Sequence, residues 1–303
     1  MLRGTAGTVL GTSQAFTLAP SGQWQLGIKD LFPSVTADAL TAEFQSVGSS
    51  AVPVGYATLA DNASGDLTYF PSLRPASAFL LPVASRVTGV GGALFASDLT
   101  VANVSDSPVT VTLTFWAHDK DNTSGAPQAS VTLAPRETRL IADALNALFG
   151  VSETFGALKI DSAGSLAVAE RIWTASPTTA GTVGQQVDPM VLPDALYSRA
   201  SILGLRQDSA FRSNAGFVNP NDSAATISLT LLRPNGTTIG QTAITVAPRG
   251  FTQFSLAGLF PGVPFPSGEL LTIGLDSGTT PICAFGIIAD NVSQDLTASP
   301  AIP

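Results

Sequence analysis

The sequence APRGFTQFSLAGLF occupies residues 247–260, and a related pattern occurs twice before it. Its Ala-Pro and Leu-Phe pairs recur in residues 19–32 and in residues 134–149. Apolar residues alternate with polar ones just before each proline, as Phe16 and Leu18 do, and this alternation is typical of a strand with one face on a core. The repeat predicts a strand that ends before the proline, a short second strand, and a compact turn that holds the Leu-Phe pair.

Two further blocks extend the repeat. FASD at residues 95–98 and FRSN at residues 211–214 are each followed by an asparagine, by Asp-Ser and by a strand of alternating apolar residues. Downstream, DNASGDLT at residues 61–68 matches DNVSQDLT at residues 290–297. The spacing is roughly 115 residues, which is the size of a whole domain rather than of a solenoid repeat.

The chain is therefore predicted to be all-β, with three tandem β-sandwich units. Several short strands separated by turn signals, without a long helical pattern, favour this fold class. We call residues 1–75 unit one, residues 76–195 unit two and residues 196–303 unit three. Unit one is predicted to be a partial sandwich that lacks its first strands.

Alignment of the repeats places Met1 where unit three has the end of a strand, so the counterpart of residues 196–230 is missing from unit one. A sandwich without those strands would expose an apolar face and unpaired strand edges. Three explanations remain open: strands from another chain complete unit one, the chain is a fragment of a longer protein, or unit one packs on unit two.

Composition excludes some classes of function. The chain has 303 residues, 12% of them charged, and a net charge of −8, which argues against binding to nucleic acid. The one cysteine, Cys283, cannot form an internal disulfide and is predicted to be a small core residue. No segment is apolar enough over sufficient length to span a membrane, and residues 1–5 do not resemble a signal peptide.

Candidate sites are few, and we predict no catalytic residues and no cofactor. Asp119, Asp121 and Thr123 place oxygen atoms at alternate positions, which a calcium ion requires, but the pattern lacks the other residues of a calcium loop. They are weak metal candidates, and a polar hairpin tip is the favoured explanation. His118 is the single histidine, and no nucleophile motif accompanies it.

Two features of unit two could serve an interaction. The loops at residues 118–125 and 176–190 differ from those of the other units, and such loops are where distinct binding is expected. Glu170 and Arg171 interrupt an apolar strand, so one side chain points inward and the other outward unless a bulge intervenes. They are either an outward-facing pair or a charged anchor at a contact between units.

The blocks that begin at Phe95 and Phe211, the sequence VTLAP at residues 131–135 and the Leu-Phe turn together resemble the tandem immunoglobulin-like β-sandwich repeats of bacterial exported and cell-surface proteins. The resemblance covers nearly the whole chain and carries over no catalytic residue. It implies stalks, adhesion modules or filament subunits, and an extracellular or cell-surface location.

These observations lead to one main hypothesis and two alternatives. The main hypothesis is a non-enzymatic extracellular structural protein, a filament or surface-assembly subunit that self-associates by strand complementation at the open edge of unit one. One alternative is an adhesion or carbohydrate-binding module that uses the loops of unit two. The other is an accessory segment of a larger secreted protein.

Overall fold

The computed structural model describes residues 1–36, 40–48, 54–72 and 74–303, apart from the side chain of Val90. The chain is all-β, and its strands form several sheets. The strands are β1 (Leu2–Gly4), β2 (Val9–Gly11), β3 (Leu40–Ala42), β4 (Tyr56–Ala60), β5 (Leu67–Pro71), β6 (Ala76–Thr88), β7 (Leu94–Asn103), β8 (Val109–Ala117), β9 (Gln128–Leu133), β10 (Thr138–Ile141), β11 (Thr154–Ala175), β12 (Thr182–Gln185), β13 (Met190–Val191), β14 (Arg199–Leu205), β15 (Phe211–Asn219), β16 (Ala225–Leu232), β17 (Thr238–Val246), β18 (Gly250–Ser255), β19 (Leu271–Asp276), β20 (Cys283–Asp290) and β21 (Leu296–Pro300).

The α-helices of the described residues are short and coincide with the three Leu-Phe turns. They are α1 (Ile28–Leu31), α2 (Ala144–Phe149) and α3 (Leu256–Leu259). Leu256 and Leu259 are buried, so this turn of unit three is packed into the core rather than lying on the surface.

Unit three contains two four-stranded sheets. One has the order β14-β19-β16-β17 and the other the order β18-β15-β20-β21, with all pairs antiparallel. Alternate residues of both sheets, such as Phe217, Leu229 and Ile273, are buried in one apolar cluster. Packing of the two inner faces on each other is what period-two alternation in these strands requires.

Unit two repeats the same pairing order within one sheet. The first half of its 22-residue strand β11 pairs with β6 and β8, as β19 pairs with β14 and β16. The second half pairs with β7 and β12, as β20 pairs with β15 and β21. Because no turn interrupts β11, a single strand takes the pairing positions that β19 and β20 share in unit three.

The asparagine that recurs in both units closes a corner between strands. Asn219 Nδ2 donates hydrogen bonds to the carbonyl oxygens of Ser223 at 2.7 Å and Ala247 at 2.9 Å. Asn103 Nδ2 makes the equivalent bonds to Ser107 and to Ala134. The asparagine thus joins the Asp-Ser turn to the Ala-Pro turn, which explains why these motifs recur together.

Replacement of Asn219 by alanine is expected to lower the free energy of unfolding by roughly 1–3 kcal/mol, because it removes the hydrogen bonds that this buried side chain donates to the two turns. Asn219 is fully buried at 0% exposure. Equilibrium unfolding in urea measures the loss, with Ser228→Ala on the exposed face of β16 as the control. Equal stability of the two variants would show that the corner does not depend on this side chain.

Units two and three share an extended apolar contact. Leu80 and Trp116 of unit two lie in one buried cluster with Phe251 and Phe285 of unit three. The Phe155 and Phe251 rings meet edge to face at 5.7 Å, and Phe251 stacks on Phe285 at 6.2 Å. Cys283 is buried in the same cluster, in agreement with its predicted role as a core residue.

The loop at residues 118–125 takes part in this contact. The Asp119 N–H donates to the carbonyl oxygen of Phe251 at 2.8 Å, and its Oδ1 accepts a hydrogen bond from Thr252 at 2.7 Å. Asn122 Nδ2 donates to the carbonyl oxygen of Arg249 at 3.0 Å. Part of the loop is therefore a contact between units and not a free tip.

The described residues of unit one form two small sheets. β1 lies between β2 and β3, and Leu2 is fully buried there. β4 and β5 form a separate antiparallel ribbon. The alternating strand predicted at Phe16 and Leu18 is wrong: these residues have no strand structure and are 52% and 41% exposed.

Candidate interaction surface

Unit one carries most of the large apolar side chains that are exposed in the described part of the chain. They include Val9, Leu10, Phe16, Leu18, Trp24, Leu26, Ile28, Phe44, Val47, Val54, Leu59, Leu67 and Tyr69. Extensive apolar exposure of this kind is uncommon on a soluble monomer and marks interaction surfaces. Among the described residues, those of unit one therefore form the surface that most resembles an interaction surface.

The irregular backbone of unit one has a simple cause. In unit three, β17 pairs with β16, and β18 pairs with β15. The repeat places residues 12–18 and 22–27 at the positions of the second half of β17 and of β18. The described residues of unit one include no counterpart of β15 or of the first half of β16, so these two segments have no ladder to join.

The β4–β5 ribbon corresponds to β20–β21 pair for pair. Tyr56 lies opposite Pro71, as Phe285 lies opposite Pro300. In unit three, β20 also pairs with β15 along its other edge. Within the described residues, β4 pairs with β5 alone, so its second edge is open.

The hydrogen-bonding groups at the open edge can be assigned. The N–H of Asp61 donates to the carbonyl oxygen of Asp66 at 2.9 Å, so odd-numbered residues of β4 face β5. Successive residues of a strand point their N–H and C=O groups to opposite sides. The backbone groups of Tyr56, Thr58 and Ala60 therefore face the open edge.

The side chain of Tyr56 brings a second segment next to β4. Its hydroxyl accepts a hydrogen bond from Gln23 Nε2 at 2.8 Å and donates one to Gln25 Oε1 at 2.7 Å. The repeat aligns Gln23 with Phe251 and Tyr56 with Phe285. Those two rings stack in unit three even though β15 runs between their strands.

We call the region between residues 22–27 and β4 the strand slot. In unit three, the corresponding region is filled by β15, whose two edges pair with β18 and β20. In unit one, the hydrogen bonds of Tyr56 with Gln23 and Gln25 cross the region, where unit three has stacked rings. No strand from the described residues fills it.

The wall of the slot formed by β4 and β5 is fixed to unit two. Arg171 Nε donates to Thr68 Oγ1 at 2.8 Å, and its guanidinium lies 3.3 Å from Asp66 Oδ2. Asp66 Oδ2 also accepts a hydrogen bond from the N–H of Gly184 at 2.9 Å. Arg171 thus acts as a charged anchor between units one and two. Gly184 lies in β12, so the loop at residues 176–190 also contributes to this attachment.

The turn of the ribbon strengthens this attachment. The hydroxyl and N–H of Thr182 donate to Asp61, and together with the N–H groups of Ala63 and Ser64 they hold the pKa of Asp61 well below its usual range. Asp295 of unit three lies nearby, and burial together with the Asp66 carboxylate raises its pKa. All three units therefore meet around β12.

Replacement of Arg171 by methionine is expected to loosen the β4–β5 ribbon and leave the rest of the chain unchanged, because it removes the bonds to Thr68 and Asp66. Hydrogen exchange of residues 56–71 should rise several-fold relative to residues 76–303, which mass spectrometry can measure. Arg199→Met is the control, since its ion pair with Asp276 is exposed. Unchanged protection of residues 56–71 would show that the anchor is dispensable.

Glu170 points to the opposite side from Arg171. It is 1% exposed, on the face of β11 that also buries Leu166 and Val168, so the predicted outward pair is wrong for this residue. Neither carboxylate oxygen has a hydrogen-bond partner. Burial raises the pKa of Glu170 to about 8; the Ser97 hydroxyl lies outside hydrogen-bonding geometry but is near enough to lower the pKa in part.

The weak metal candidates do not form a cluster. Asp119 is engaged with Thr252, and Asp121 accepts hydrogen bonds from the N–H and hydroxyl of Thr123, which lower its pKa. Within residues 1–36, 40–48, 54–72 and 74–303, no group of three or more histidine, cysteine, aspartate or glutamate residues could hold a metal ion. His118 stacks on Phe155 at 4.3 Å and bonds to Asp119.

Fold and surface together define an all-β protein whose first unit presents an open strand edge and an apolar face.

No model of a known protein family matches the chain. No curated protein matches it significantly. One solved structure with some similarity is that of the PBSX exported protein XepA, at 10% identity and a TM-score of 0.21, over 88% of this chain and 99% of that chain. A similarity this weak carries no argument about fold or function. None of the helices in the described residues has the length and apolar character needed to cross a membrane.

Proposed function

We propose that this protein is a non-enzymatic structural subunit of an extracellular or cell-surface assembly, and that copies associate through the open face of unit one. The observation that carries the proposal is the open edge of β4 beside a concentration of exposed apolar side chains. Pairing of an open edge with another chain forms backbone hydrogen bonds and covers apolar surface in one step.

The proposal includes the nature of the units. We propose that units two and three are immunoglobulin-like sandwiches in tandem, because both contain the same two pairing orders of four strands, in two sheets in unit three and in one continuous sheet in unit two. The apolar contact between units two and three would hold them as a stiff pair, which suits a structural subunit. The low content of charged residues and the resemblance to exported repeats support a location outside the cell.

Sedimentation velocity over a concentration series, with electron microscopy of the same samples, tests the association. We expect the wild-type chain to form oligomers or filaments as its concentration rises. Leu59→Asp, which adds a charge beside the open edge, should reduce association, whereas Val292→Asp on an exposed turn of unit three should not. A wild-type chain that stays monomeric at all concentrations would overturn the proposal.

An adhesion or carbohydrate-binding role for the loop at residues 118–125 is the second candidate. It rests on the side chains that remain exposed there, including Asp121 and Thr123. A glycan-array comparison of Asp121→Ala and Thr123→Ala with the wild-type chain tests it, because both side chains are exposed. Unchanged binding in both variants would remove this loop from consideration.

A further inference from the structure

We infer that the strand slot binds one extended segment of a partner chain, with the residue pattern of β15. This inference rests on the proposed function, because it specifies what enters the open face of unit one. The partner segment would pair with β4 along one edge and with residues 22–27 along the other.

Unit three gives the register of such a segment. β15 pairs with β20 so that Gly216 lies opposite Phe285 and Phe211 lies opposite Asp290. Since β4–β5 matches β20–β21 in register, a bound strand would place its Gly216 equivalent opposite Tyr56. The N–H and C=O groups of Tyr56, Thr58 and Ala60 would then gain partners.

The slot requires a small residue at one position. A Cβ atom at Gly216 would lie 2.2 Å from the Phe285 ring, so only glycine fits against that ring in unit three. In unit one, Tyr56 reaches across the same place to bond with Gln23 and Gln25. A partner strand with a bulky residue there would have to displace these bonds.

Charge at the end of the slot favours a basic residue in the partner. Arg212 of β15 donates to Asn291 Oδ1 at 2.9 Å and to Gln294 Oε1 at 2.7 Å. The repeat places Asn62 at the position of Asn291 but Gly65 at that of Gln294, so only the first acceptor has a counterpart in unit one. Asn62 is exposed, and Asp61 lies at the same turn. An arginine four residues before the small residue would therefore meet an amide acceptor and a carboxylate.

The segment must come from a part of the partner that is not already folded into a sandwich. In the folded chain, β15 is bonded along both edges, to β18 and to β20. β7 is likewise paired on both sides, with β10 and β11. A folded copy can therefore supply neither strand without unfolding, which makes an extended segment of the partner the occupant.

A synthetic peptide of residues 209–221, SAFRSNAGFVNPN, is the probe. Fluorescence anisotropy of the labelled peptide with the full chain should show saturable binding. Thr58→Pro removes an N–H that faces the slot and keeps the β4–β5 ladder, so it should weaken binding by about tenfold or more. Thr58→Ala keeps the N–H and should bind like the wild-type chain. A peptide with Gly216→Val tests the slot without altering the protein and should also lose about tenfold.

Failure of this inference is distinguishable from failure of the proposed function. If the peptide does not bind, or if the Gly216→Val peptide binds as tightly as the unmodified peptide, the inference about the strand slot is wrong, even when the chain forms oligomers by itself. Peptide binding to a chain that remains monomeric supports the slot and overturns self-association. Binding that dissolves oligomers supports both, since peptide and partner then compete for one site.

Discussion

The free energy of unfolding is expected to fall as the pH rises from about 5 to about 8, and Glu170 is expected to cause most of this fall. Its carboxyl group is 1% exposed and has no hydrogen-bond partner. Burial raises its pKa from 4.5 to about 8, so the folded chain keeps a proton that the unfolded chain has already released. Stability decreases with pH wherever the folded state binds more protons than the unfolded state.

The expected size of the effect is large. A tenfold change in proton affinity corresponds to about 1.4 kcal/mol, so the full difference between the two pKa values is worth roughly 5 kcal/mol. The cost is absent below pH 4.5, where both states are protonated, and complete above about pH 8, where both have lost the proton. The slope should therefore be confined to that window.

Urea unfolding at several pH values between 5 and 8 measures this dependence. Glu170→Gln should remove most of the slope and be more stable than the wild-type chain at pH 8, because the amide stays neutral. His118→Gln is the matched control, because it introduces the same amide at a site outside β11 and leaves Glu170 in place. Asp295→Asn is tested beside it, because its raised pKa contributes a slope of the same sign. If the free energy of unfolding of Glu170→Gln falls with pH as steeply as that of the wild-type chain, Glu170 is not the cause of the pH dependence.

Phe251→Ala is expected to lower the free energy of unfolding by roughly 3–5 kcal/mol, because it opens a cavity at the contact between units two and three. The ring is 1% exposed and touches Phe155 and Phe285. The backbone of the same residue bonds to Asp119, so the loop at residues 118–125 should also loosen. With the contact weakened, the two units are expected to unfold in separate transitions.

Differential scanning calorimetry of Phe251→Ala measures both effects. Val292→Ala serves as the control, because Val292 is an apolar residue of the same unit that is 71% exposed. A single transition at the wild-type temperature would show that the contact contributes little to stability.

Sequence alone determined the all-β class and the repeated corners. Alternation of apolar and polar residues with period two gives each strand one buried face, whatever its neighbours are. The recurring asparagine bonds to the Asp-Ser turn four residues later, which is a local contact, and to the Ala-Pro turn, which is 28 residues away in unit three. Recurrence of both motifs at the same spacing in units two and three marks the second contact in the sequence. The repeat also shows that β15 has no sequence counterpart among residues 1–75.

Tertiary structure alone decided which surfaces are occupied. The direction of Glu170 depended on the register of β11 against β7, and alternation by itself leaves both directions open. Asp119 and Asn122 resemble free loop residues until unit three packs on them. The same holds for the slot, where Tyr56 meets Gln23 and Gln25 from a segment more than thirty residues earlier. Local sequence encodes the face and turn of each strand, whereas contacts between distant segments depend on how the whole chain packs.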